Sequence, residues 1–428
     1  MPASTALGKK PVLIAGILII LIIIPATSES SCSKMSLSKN VIRSSRITQQ
    51  SLFRCSISRQ TVQRSQERRF SQSRAVAAPV AGASEAEVQA ALKYCSNLLL
   101  QYDRPSYTLS TFIPRTAQTF YIALRALNVS LSLIPDTTSS HTIGLMRLQF
   151  WRDAMAKTLS GSPPKEPIAI LLASAISDLT ERTQGRARIS KGWLNRMINA
   201  REQTLTNDPY PDIAALESYA ESTYSTLLYL TLSALPMTSV TADHVASHIG
   251  KAAGITAVLR GLPLVAFPGA STQRPDQAGT TMAGGAKQGA VMLPLDVMAQ
   301  AGVKEEEVFR LGSEAPGLRD AVFTVATRAS DHLITVQQML SNIRAGQDAG
   351  HEFEHGHEED HQYDFPSQNE TPLQEVNRAF GVFMPAVGTR LWLDRLESHD
   401  FDIFQPELLR SDWKLPWKAY MAFTRKTF

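Results

Sequence analysis

Cysteine is scarce in this chain: there are three, Cys32, Cys55 and Cys95, and no two have CxxC spacing. That excludes a disulfide framework and a cysteine-built zinc site. Strand signals are also missing, because no apolar–polar alternation is bounded by hairpin turns of the Asn-Gly type, and the expected fold class is all-α. A large charge of one sign is absent too. The net charge is +4, and the excess of Lys and Arg is concentrated before residue 75 rather than on a folded face, which argues against a nucleic-acid partner. What is present is 428 residues with 43% hydrophobic content, enough for a helical domain of roughly 250 to 300 residues plus appendages.

The N-terminal region 1–80 reads as targeting sequence. Its residues 12–24, VLIAGILIILIII, follow Lys9 and Lys10 and stop at Pro25. The run is shorter than the roughly 20 residues of a spanning helix and has the form of a signal-peptide core. It is equally compatible with an anchor or a misassigned start codon. Residues 36–75 are rich in Ser and carry Arg43, Arg46, Arg54, Arg59, Arg64, Arg68, Arg69 and Arg74 against one acid, Glu67. That is transit-peptide composition, and cysteine usage downstream favours mitochondrial import over secretion.

From residue 84 to 428 the pattern is helical. Ser84 and Glu87 form a capping box, after which Val88, Leu92, Cys95 and Leu99 recur on one face. Helices are expected over 116–133, 142–159, 167–179, 191–203, 213–235, 242–262 and 316–343, with Pro316 at a first helical position of the last. Two insertions interrupt them. Residues 268–289 are rich in Gly, Ala, Thr and Gln, and residues 346–370 contain HEFEHGHEEDHQYD. His351, His355, His357 and His361 in the second could bind a metal, but a solvated acidic tract is the commoner meaning. His244 and His248, four apart with Asp243 nearby, lack HExxH and an evident third ligand, so a capped helix start and a packed imidazole are expected. Leu148 and Trp151 in RLQFWRD read as a helix anchor flanked by arginines, and Tyr219, Thr223 and Tyr224 as a core stripe. The C-terminal Trp392, Trp413, Trp417, Phe401, Phe404 and Phe423 are expected to pack on the helical body, with a membrane surface or a partner subunit as alternatives.

The segments FYIALRALNVSLSLIPD, TIGLMRLQFWRD, LESYAESTYSTLLYLTL, HIGKAAGITAVLRGLP and VMLPLDVMAQAGV, in this order between Ala90 and Ile343, resemble the squalene/phytoene synthase superfamily. The residues that carry the resemblance include Arg125, Arg147, Trp151, Arg152, Tyr219, Tyr224, Arg260 and Pro294. It implies an isoprenoid-synthase-like helical bundle. Catalytic members ionise prenyl diphosphates, and the departing pyrophosphate needs magnesium held by carboxylates on two facing helices. Two acids four apart share a helical face, hence a DxxxD-like motif on each.

Here the first motif falls on Ser132 to Asp136, leaving one acid, and the second falls on Gly261 to Val265, with Gly261, Leu264 and Val265 at acidic places. The basic cluster before the family's Leu-Pro turn is reduced to Lys287, beside Gln288 and Gly289. No catalytic residue, metal or cofactor is therefore expected. Apolar replacements remove the cost of burying unpaired carboxylates.

The resemblance extends to ADHVASHIGKAAGI and FDIFQPELL and is nearest to a non-catalytic branch, the mitochondrial assembly factors of respiratory complex I. It implies complex I intermediates as partners and peripheral association with the matrix side of the inner membrane, while the cavity could still hold a lipid or isoprenoid. The alternative is an active prenyltransferase using prenyl diphosphates and magnesium at a displaced site, with Asp136, Asp296 or acids in loops as ligands.

Overall fold

The computed structural model describes residues 83–268, 289–348, 350 and 371–428. The targeting region 1–80, nearly all of both insertions, the four insertion histidines, Lys287 and Gln288 lie outside these residues. The helical unit runs from Arg74 to Phe428, and its described residues contain helices and turns but no strand.

The first helices wrap an almost wholly buried one. Helix α1 (Glu85–Tyr102) starts at the expected Ser84–Glu87 capping box and is followed by the short α2 (Arg104–Leu109). Helix α3 (Arg115–Ser132) buries Phe120, Tyr121, Leu124, Leu127 and Leu131 against α1 and α6 (Pro167–Thr183). One turn, α4 (Ile134–Thr137), leads to α5 (His141–Leu159), which lies on α6 and α7 (Lys191–Gln203). Leu148 and Trp151 are buried as the anchor reading requires. Arg152 ties α5 to α7 through Asn199 at 2.8 Å and an ion pair with Glu202.

The segment expected as one helix over 213–235 is three pieces. Helix α8 (Ile213–Ala220) passes into a π-helical turn (Glu221–Ser225) and resumes as α9 (Thr226–Ala234). Helix α10 (Val240–Ala266) packs on all three and carries Pro263 inside its last turn, beyond the expected end. It is long and apolar enough to cross a membrane, but half of its most apolar window is buried inside the fold, as in a core helix. A Cβ on Gly250 would stand 2.3 Å from Ser225 Cα, and one on Gly254 would stand 2.5 Å from Ala220 Cβ. The two glycines therefore let α10 meet the π turn at Ser225 and the end of α8 at Ala220.

Beyond the first insertion come α11 (Leu295–Ala301), α12 (Glu305–Leu311) and α13 (Leu318–Arg344), the last packed along α10. Pro316 is not its first residue. Gly317 is the N-cap, at φ 74°, and a Cβ there would meet Ala301 O at 1.9 Å, so the helix begins only after this close approach. Three C-terminal helices, α14 (Pro372–Ala379), α15 (Pro385–Ser398) and α16 (Leu415–Arg425), complete the body. Trp392 is buried and Phe401, Phe404 and Phe423 are partly buried, whereas Trp413 and Trp417 point into solvent, contrary to the packing expectation.

Candidate functional site

Helix α3 ends at Ser132 because Pro135 follows closely, and α4 then presents Asp136 at an exposed position. Across from them, the last turns of α10 bring up Gly261 and Val265, four apart and so on one face. Ser132, Asp136, Gly261 and Val265 line one cavity of about 210 Å³, below the roughly 300 to 1,000 Å³ usual for small-molecule sites. Leu264 is 47% exposed and lies off this face, and Arg260 is also exposed. The two motif places are thus brought together at Asp136, Ser132, Gly261 and Val265, without Leu264.

The cavity's polar side joins Tyr219 and Tyr224 to two residues not singled out from sequence, Arg201 and Tyr210. Arg201 extends the buried stripe Leu194, Met197, Ile198 of α7 by three residues, which carries its guanidinium inward. Its Nη1 donates to Tyr219 Oη at 2.6 Å and its Nη2 to Asn128 Oδ1 at 3.0 Å, while the guanidinium lies 5.5 Å from the Tyr219 ring centre. Burial opposes the Arg201 charge, but the phenols of Tyr219, Tyr224 and Tyr210 outweigh it and raise its pKa. Burial raises the phenol of Tyr210 far above its ordinary value and that of Tyr219 as well, with Arg201 pulling the latter partly back. The phenols of Tyr210 and Tyr219 therefore keep their protons at neutral pH.

The π turn sets part of this cage. A helix with i to i+5 bonding places residues five apart on one face, so Tyr219 and Tyr224 both reach the cavity. Thr223 instead is buried and donates to Tyr219 O at 2.6 Å, which is the core role expected of it. The same turn points Glu221 away from the cavity, into a buried cluster where it accepts from Tyr229 Oη at 2.5 Å and Ser247 Oγ at 2.8 Å, with Lys251 Nζ at 3.8 Å.

This donor set does not fit a magnesium cluster. Hard cations need several oxygen ligands each, and the cavity offers one carboxylate, Asp136. Asp296 is not in the lining and accepts from the Val297 backbone N–H at 2.7 Å. Among the described residues, no group of three or more His, Cys, Asp or Glu side chains is placed to hold a metal.

The remaining resemblance residues lie outside the cavity lining. Arg125 is buried in α3 with its guanidinium 5.3 Å from the Tyr121 ring centre, Arg147 donates to Thr137 Oγ1 at 2.9 Å, and Pro294 caps α11.

His248 Nδ1 lies 2.9 Å from His332 Nδ1, with the His244 and His248 rings 5.3 Å apart, so imidazole packing holds, whereas the helix start is capped earlier, by Ser239. His332 Nε2 is 2.9 Å from Glu217, which also pairs with Arg328. Burial would raise the Glu217 carboxyl, but hydrogen bonds and charge from His332 and Arg328 dominate and hold it at about 2 rather than 4.5. A depressed carboxyl stabilises the fold above its unfolded value and loses that contribution as pH falls through the folded one. Thermal melts should therefore show Glu217→Gln costing stability at pH 7 and the difference from the parent shrinking between about pH 4.5 and pH 2. An unchanged difference across that range would refute the assignment.

A profile of the squalene/phytoene synthase family matches residues 99–420. The chain is 34% identical over 361 residues to NADH dehydrogenase (ubiquinone) complex I, assembly factor 6 of Rattus norvegicus, covering 84% of this chain and 90% of the relative. It is 31% identical to the Homo sapiens protein of the same name, covering 78% and 82%. Among solved structures, a dehydrosqualene synthase superposes with TM-score 0.55 at 12% identity, over 80% of this chain and 98% of the other. A squalene synthase from Alicyclobacillus acidocaldarius gives 0.51 at 12% identity, over 76% and 99%. These likenesses identify the fold as an isoprenoid-synthase-like helical bundle. The chain belongs to the squalene/phytoene synthase family.

Proposed function

We propose that this protein is an assembly factor for mitochondrial respiratory complex I that acts by binding and carries out no prenyl transfer. The observation that supports it most is the cavity at the crossing of α3, α4 and α10, where Asp136 is the one carboxylate and Gly261 and Val265 stand in the second acidic register. The names of its relatives point the same way, as assembly factors on a synthase-type domain. In this reading its partners are complex I subunits or assembly intermediates, it works on the matrix side of the inner membrane, and it needs no metal or cofactor. Val258, Val265 and Met292 give the cavity an apolar wall beside the Arg201 cage, and in this reading it holds one end of a retained lipid or isoprenoid, its volume being too small for the whole molecule. Native mass spectrometry after gentle purification would detect it, and an empty protein would remove that element of the reading.

The main test is a deletion strain, which should lose complex I activity while keeping its sterol content. Re-expressing the chain with Asp136→Asn should restore activity to within about twofold of the parent, because a lone carboxylate assembles no metal cluster. Magnesium-dependent pyrophosphate release from farnesyl or geranylgeranyl diphosphate by the purified protein, abolished in Asp136→Asn, would overturn the proposal in favour of a prenyltransferase.

A further inference from the structure

Helix α16 buries one narrow face, Leu415, Ala419 and Ala422, against α15 and α2. On the side away from the body, Trp413, Trp417 and Tyr420 recur at helical spacing and are 82%, 64% and 53% exposed. The Trp417 and Tyr420 rings stack at 6.2 Å, which joins them into a continuous ridge. Lys414, Lys418 and Arg425 form a second exposed row between the ridge and the body. From Trp413 to Phe428 there are four cations and no acid.

The helix is held firmly. Phe428 stacks on Phe380 at 4.9 Å, Gln337 Nε2 donates to Phe428 O at 3.3 Å, and Arg344 donates to Lys426 O. Tryptophan is rarely left this exposed on a protein surface, because most of its area is apolar. Its amphipathic ring, like that of tyrosine, is suited to the headgroup region of a bilayer, and adjacent lysines add attraction to anionic lipid.

We propose that α16 and the turn before it are the surface by which this protein seats on an anionic lipid bilayer, with Trp413, Trp417 and Tyr420 entering the headgroup layer and Lys414 and Lys418 facing lipid phosphates. Four cations against no acid from Trp413 to Phe428 match a continuous negative surface, the neighbouring Asp412 being paired with Arg395 and Asp394 with Arg390. This deepens the membrane element of the proposed function by naming the surface that carries it.

The full chain contains its own reporter. Of five tryptophans, Trp151, Trp193 and Trp392 are buried, so a change in emission on binding reports Trp413 and Trp417. Vesicles of phosphatidylglycerol and phosphatidylcholine should shift emission to the blue, and brominated lipid should quench it. Phosphatidylcholine vesicles alone should do neither, and raised salt should reverse both effects. Lys414→Gln and Lys418→Gln should each weaken vesicle binding about fivefold. The double variant Trp413→Ser, Trp417→Ser should lower co-sedimentation at least about tenfold. All four side chains are exposed, so circular dichroism and melting should stay at the parent values.

Vesicle binding without a blue shift or quenching would assign the contact to another part of the chain, such as residues 12–24, and overturn the proposal. Absence of binding, or emission that responds to a protein partner and not to lipid, would do the same. Should the vesicle test fail while the parent chain still restores complex I activity in the deletion strain, only the seat is lost. Failure of that rescue would strike the assembly reading instead.

Discussion

Gly250→Ala is expected to destabilise the protein by about 3 kcal/mol, near the upper end of overpacking effects. The added Cβ would lie 2.3 Å from Ser225 Cα and 2.4 Å from Ser225 N, and neither atom can swing aside as the end of a flexible side chain can. Relief requires α10 to part from the π turn, which would also disturb the Tyr219–Tyr224 cage. Gly261→Ala is the matched control on the same helix. A Cβ there meets nothing within 4 Å, so the change should be neutral or stabilise by up to about 1 kcal/mol through helix propensity. Denaturant melts of the two variants should therefore move in opposite directions or differ by several kcal/mol. Coincident curves would show that the close approach of α10 does not constrain the fold.

The second large effect belongs to Glu221. Its carboxylate is buried, accepts from Tyr229 and Ser247, and lies 3.8 Å from Lys251, whose side chain is 20% exposed. Removing one partner of a buried ion pair typically costs about 3 to 5 kcal/mol, and the residual exposure of Lys251 places Glu221→Ala near the lower figure, about 3 kcal/mol. Glu221→Gln keeps the shape but has no charge to set against Lys251, so it should fall between the parent and the alanine variant. Burial pushes the Glu221 carboxyl up, yet Lys251 and the two hydroxyls outweigh it, leaving it below 4.5. Its contribution is thus complete above that value and fades as acid protonates it. Chemical melts at neutral pH would check the ranking, and an alanine variant as stable as the parent would show that the buried pair contributes nothing net.

Much of the helical framework was legible locally. The capping box at Ser84 and the spacing of Lys191–Gln203 match the structure, because caps and apolar periods act within one or two turns. The start of α13 was not, since Pro316 suits a helix start by composition. Gly317, however, must pass against Ala301 O, a contact made by a segment distant in sequence. The π turn was invisible for a similar reason. Nothing local in ESTYS demands an extra residue, whereas packing of Glu221 with Tyr229, Ser247 and Lys251 on one side and Tyr224 at the cavity on the other accommodates it.

The site divides along the same line. Ser132, Asp136, Gly261 and Val265 were identified from motif register, but Arg201 and Tyr210 were missed, although a cation continuing the buried stripe of α7 was a usable signal. Leu264 was placed with them because sequence register counts positions and not directions. On α10 it projects away from the cavity.

Chain composition and periodicity were enough for an all-helical bundle and for the poverty of acids at both motif places, since these depend on residue type at fixed local spacing. The arginine held among phenols, the turn that aligns Tyr219 with Tyr224, and the ridge left uncovered at Trp413 and Trp417 follow from which helix faces meet. Aromatic content reads alike in sequence whether it fills a core or faces solvent. The difference arose from the small buried face of α16, where Leu415, Ala419 and Ala422 occupy the body and leave no room beneath the helix for the tryptophans.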